Sequence, residues 1–145
     1  MKALALSALL VGCSSVGETS LPPQTADGAS IARLAFTQIL NNGLVDSSDS
    51  VVLCFPGALD PPDQFLRSLS RSELLPCSAA SSVIVNSPHA YRTDWAMTQC
   101  SIERIRVNRM GTGAWVDGNC VNSVGRRSVF HTALSNHTGA WFVIE

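Results

Sequence analysis

The chain has 145 residues, 46% of them hydrophobic, with ten cationic and eleven acidic side chains and a net charge of −1. That is enough for one domain of ordinary size and excludes two. It also excludes a chain disordered throughout, and eleven acids against ten bases exclude the basic footprint of a general nucleic-acid binder.

Met1-Lys2 is followed by apolar and small residues through Gly12, and then by Cys13. One positive charge before a short apolar run is the pattern of a secretory leader. The run is about half the ~20 residues a membrane-crossing helix needs. Leu10-Val11-Gly12-Cys13 resembles the lipobox of bacterial lipoproteins. That resemblance implies cleavage before Cys13 and diacylation of its thiol, and two acyl chains anchor a protein stably. Ser14 and Ser15 follow, which by family analogy implies the outer membrane of a bacterial envelope, facing the periplasm. On this reading residues 1–12 are a signal peptide and 13–27 the lipidated cysteine with a flexible tether. The Pro22-Pro23 pair, Gly17 and several Ser and Thr give that tether its loop composition. The rival reading makes residues 1–12 an ordinary apolar helix and Cys13 a buried thiol.

Residues 28–145 then form a single domain. Its first helix is expected over about 30–41, where Ile31, Leu34, Ala35 and Ile39 recur at helical spacing. Asp27 or Ser30 would cap its start, and Asn41-Asn42-Gly43 would end it. A β-branched run over 51–55 reads as a strand stopped by Pro56-Gly57. Asp60-Pro61-Pro62-Asp63 reads as the start of a second, short helix docked by Phe65, Leu66 and Leu69. A strand is expected over 82–86, with Tyr91 and Trp95 packed over the sheet. From Cys100 on, the pattern is an antiparallel meander of four strands, near 100–108, 114–121, 127–134 and 140–144. Gly111, Gly125 and Gly139 fall at its turns.

A helix first and a curved antiparallel sheet after it make an α+β fold. The order of elements and the closing Gly139-Ala140-Trp141-Phe142-Val143 resemble cone-shaped domains of the NTF2-like or cystatin-like type. The whole mature chain also resembles small bacterial lipoproteins of unassigned function.

With Cys13 set aside, Cys54, Cys77, Cys100 and Cys120 remain. An even number in an exported chain predicts two disulfides, with three pairings open. None of the spacings matches a zinc or redox CxxC motif. A three-residue loop Arg109-Met110-Gly111 places Cys100 directly opposite Cys120, close enough to bridge. Cys54–Cys77 follows by elimination.

The same register sets Glu103 opposite Asp117, and the next hairpin sets Asp117 opposite His131. Two carboxylates and an imidazole on one face would serve acid–base chemistry or hold a divalent metal. NTF2-like enzymes place Asp and His in such a cavity, which makes a small pocket enzyme or ligand carrier the alternative function. Against it, two directly opposed acids repel, and a slip of one residue moves each side chain to the other face. Arg104 and Arg106 share the opposite face and would meet an anionic partner, or simply water. No phosphate loop, HExxH or GxSxG motif is present. The preferred reading is a non-enzymatic envelope lipoprotein without cofactor or metal. It would be membrane-bound through its lipid and would act by binding a protein or an envelope component.

Overall fold

The computed structural model describes residues 17–46, 50–69, 71, 74–80 and 97–144. The expected leader, Cys13, the strand over 82–86, His89, Tyr91 and Trp95 lie outside the described residues. In chain order the elements are β1 (Glu18–Ser20), α1 (Ala26–Asn41), β2 (Ser50–Cys54), α2 (Asp63–Ser68), β3 (Leu74–Pro76), β4 (Met97–Asn108), β5 (Gly113–Val121), β6 (Arg127–His137) and β7 (Ala140–Val143).

The fold is α+β, but the sheet is larger than the expected meander and mixed rather than antiparallel. Its order is β3-β2-β4-β5-β6-β7, with β1 also beside β4. β2 runs parallel to both β3 and β4. The reason lies in its side chains. Val51, Leu53 and Phe55 enter the main core, while Val52 and Cys54 pack with Cys77 on the opposite face. A strand buried on both faces suits a parallel, central position. The four meander strands are present as consecutive antiparallel neighbours, and Gly111, Gly125 and Gly139 turn them with positive φ.

The segment read as a tether carries β1, which pairs with the far end of β4 through Glu18, Thr19 and Ser20. α1 begins at Ala26, earlier than expected, because the Thr25 hydroxyl accepts a hydrogen bond from Gly28 N at 3.0 Å and caps the helix. Gly28 is buried so close to the chain before it that a Cβ there would stand 2.1 Å from the Pro22 carbonyl oxygen. The stripe of Ile31, Ala32, Ala35, Phe36 and Ile39 buries one side of α1 against the sheet. Phe36 and Phe55 both meet the edge or face of Phe65, with ring centres 6.0 and 4.9 Å apart, so α2 closes the same core. Asp60 does not cap α2. Its carboxylate accepts from Ser78 N at 2.7 Å, and α2 starts after Pro62 without a side-chain cap.

Both disulfides exist. Cys100 and Cys120 are direct cross-strand partners with Cα atoms 4.1 Å apart, and Cys54–Cys77 ties β2 to the residue after β3. No helix among the described residues is long and apolar enough to cross a membrane.

Candidate functional site

Along β5 the residues alternate strictly. Ala114, Val116, Gly118 and Cys120 are buried, and Trp115, Asp117 and Asn119 between them are half-buried. α1 and α2 lie on the buried side. Asp117 therefore faces outward, away from α1 and α2.

The first hairpin differs from its expected register. Its loop spans residues 109–112, held by the Asn108 side chain, whose oxygen accepts from Thr112 N and Gly113 N. A β-bulge then falls between Ile102 and Arg104. Glu103 is the extra residue of that bulge, and Arg104 takes the place opposite Asp117. The repulsion between two facing acids is thereby replaced by attraction. The second hairpin has the expected register, with Asp117 opposite His131.

One Asp117 oxygen accepts from Arg104 Nη2 and Arg106 Nη2, each at 3.2 Å. The other oxygen is closely hydrogen-bonded to His131 Nδ1. Arg106 also reaches Glu18 on β1 at 2.9 Å, and its guanidinium lies 5.9 Å from the centre of the Trp115 ring. Glu103 stands apart. It accepts from Asn119 at 2.6 Å and from Arg127 at 3.1 Å. The structure thus brings together Asp117 and His131 with Arg104 and Arg106, the two arginines assigned to the other face, and leaves Glu103 out. Glu18 and Arg127 complete the arrangement without having been anticipated. Trp115 shares the face of Asp117, as alternation along the strand implies.

Burial by itself raises the Asp117 pKa. Hydrogen bonds from His131 and Arg104, with the charges of Arg106 and His131, outweigh it and hold the carboxyl below its ordinary value. Asp117 and Arg106 retain only 21% and 24% of their side-chain exposure, so the pair is less screened than a surface ion pair. The sign of the pH effect follows. Folding lowers the pKa, so the stabilisation is complete above the unfolded carboxyl value of ~3.9 and is lost as pH falls through the lower folded value. Asp117→Asn is expected to cost about 1–2 kcal/mol near neutrality. The gap from the unchanged protein should narrow once the pH drops below ~4, since the unchanged carboxylate is then neutralised too. Urea titrations across that range check this, and a gap independent of pH would exclude the carboxylate as its source.

Chemically, the cluster is a balanced ion-pair network on an open face. Its carboxylate is saturated by its donors, which leaves it little capacity as a base. Among the described residues, no three His, Cys, Asp or Glu side chains assemble as a metal site. The interior under α1 and α2 is filled by Phe36, Phe55 and Ile31 with their neighbours. A cleft of about 230 Å³ lies beside the network, between β6 and the end of α1, with His131 on its rim. A second, of about 240 Å³, separates the start of α1 from α2.

No protein-family model matches this chain, and no curated protein or solved structure matches it either.

Proposed function

We propose that this chain is a non-catalytic binding module of the bacterial cell envelope. It is held through a lipid on Cys13 at the outer membrane, faces the periplasm, and meets a protein or envelope-component partner with the face of β5–β7 that lies away from α1 and α2. The observation that carries the binding role is the outer face of β5–β7. Trp115 lies across from Ala133, and Ile144 hydrogen-bonds to Ala133 from the far side, which makes one apolar row. Phe142, opposite Ser135, and Val129, opposite Asn119, flank it. Val129, Phe142 and Ile144 keep 75%, 54% and 55% of their surface in water. Exposed apolar and aromatic side chains grouped around arginines are the composition of interface centres. The Asp117 network holds the strands' polar side chains in fixed positions between them. The alternative, an NTF2-like carrier or acid–base enzyme built on Glu103, Asp117 and His131, calls for an enclosed cavity lined by all three. The packed interior and the displaced Glu103 weigh against it.

Two experiments test the two halves. Photo-crosslinking side chains placed at Val129 or Phe142 of the full chain, exported to a bacterial envelope, are expected to give one discrete adduct. Leu59, 51% exposed in the loop after β2, which β4 and β5 separate from β6, should give none. Equal labelling from all three positions would overturn the binding face. The anchor rests on the lipobox resemblance and on the even count of remaining cysteines. Cys13→Ala is expected to move the protein from the membrane fraction to the soluble one, and unchanged sedimentation with membranes would overturn the anchor.

A further inference from the structure

β7 covers only part of β6. It pairs with Leu134, Ser135, Asn136 and His137, and Ile144 N adds one more bond, to the Ala133 carbonyl. Among the described residues no strand pairs with residues 127–132 on that edge. The pairing of Ala133 with Ile144 fixes which main-chain groups point there. In an antiparallel ladder, alternate residues direct both N–H and C=O to the same neighbour. Val129 and His131 share the parity of Ala133, so their N–H and C=O groups point to the uncovered edge. The segment from Ser128 to Ala133 has no Pro, Lys or Glu, and the sheet's bulge lies between other strands. It therefore lacks the devices that usually blunt an edge.

We infer that this edge takes an extended peptide segment of a partner protein, which adds a strand to the sheet in line with β7. The inference deepens the binding role proposed above and rests on it. Three features define the peptide. Its main chain completes the N–H and C=O pairs of Val129 and His131. Side chains on its inner side drop into the cleft bounded by Ile39, Leu44, Phe130 and Val143. At about 230 Å³ that cleft falls below the ~300–1,000 Å³ of pockets that enclose whole small ligands, which suits it to one or two apolar side chains. The third feature is charge. Arg126 and Arg127 stand exposed at the start of the edge, and among the described residues the one carboxylate paired with them is Glu103, on Arg127. The excess is positive and selects an acidic residue at that end of the peptide.

The probe is a display library of random short peptides selected on the full chain, with Val129→Pro as the counter-target. Among the described residues nothing pairs with Val129 N–H, so proline there removes the edge donor without breaking the ladder. Enriched sequences are expected to alternate apolar residues and to carry an acidic one. Saturation with such a peptide should slow amide exchange at Val129 and His131 by roughly tenfold or more. Methylating the peptide nitrogens that face β6 should abolish binding, and methylating those on its other edge should not. No enrichment over Val129→Pro, or equal binding of both methylated peptides, overturns the inference. A peptide that binds over Trp115 and Phe142 without protecting Val129 and His131 overturns strand addition alone and leaves the binding face standing.

Discussion

Gly118→Val is expected to destabilise the protein by about 3 kcal/mol or more, and Gly118→Ala by about 1–3 kcal/mol. Gly118 faces the core, opposite Ile102 on β4 and Phe130 on β6. A Cβ built on it would stand 2.2 Å from the Ser101 carbonyl oxygen and 2.3 Å from Phe130 Cζ. Neither neighbour yields easily. The oxygen belongs to the main chain of β4 just before the bulge, and the Phe130 ring is packed into the core cluster. The glycine is there for space rather than for backbone freedom, since the ring of its cross-strand partner occupies the place a side chain would fill. This yields a double-mutant test. In a Phe130→Ala background one of the two clashes is gone, so Gly118→Ala should cost clearly less than it does alone. Urea unfolding of the four proteins measures the coupling. Additivity within ~0.5 kcal/mol, as for independent sites, would mean that ring and glycine do not share that space.

Gly118 also marks where the sequence misleads. The meander, its turn glycines and the Cys100–Cys120 pair were all legible, yet the residues between turn and cysteines were not placed correctly. The loop takes four residues where three were expected, which shifts the register by one. The bulge at Glu103 then shifts it back. The two displacements cancel at Cys100 and Cys120 and act in full between Arg104 and Val107. The disulfide was therefore right, while the partner of Asp117 was wrong. A trace of the bulge did exist in the sequence. Ile102 and Ile105 are both buried, and two apolar residues three apart cannot share a face of a regular strand. The second hairpin has no bulge, so the register expected from its turn held along the strand and set Asp117 opposite His131. β1 and β3 gave less warning. Glu18, Thr19 and Ser20 are exposed, so no apolar pattern marks them, and Leu74–Pro76 is three residues long. The parallel setting of β2 was signalled by Val51-Val52-Leu53-Cys54-Phe55, an unbroken apolar run that a half-exposed strand would not carry.

Removing the Cys100–Cys120 bridge by the double substitution to alanine is expected to cost about 3–5 kcal/mol. Loop-closure entropy cannot distinguish the two disulfides, because their sequence separations of 20 and 23 residues are nearly the same and the cost grows only with the logarithm of length. Their surroundings do distinguish them. Cys100 and Cys120 lie in the main core, so alanines there also leave a cavity. Their strands stay registered by seven other residue pairs, so the loss should appear as global stability with the local structure kept. Cys54–Cys77 joins β2 to a strand that holds it by only three pairs. Its double alanine variant should free β3 first, with amide exchange at Leu74 and Leu75 rising well before exchange in β5. Equal acceleration in β3 and β5 would contradict this division of labour. Both bridges need an oxidising compartment to form and persist. A chain that unfolds at the same urea concentration with every cysteine reduced would break the physical link between these four cysteines and export. The anchor on Cys13 would then rest on its lipobox resemblance alone.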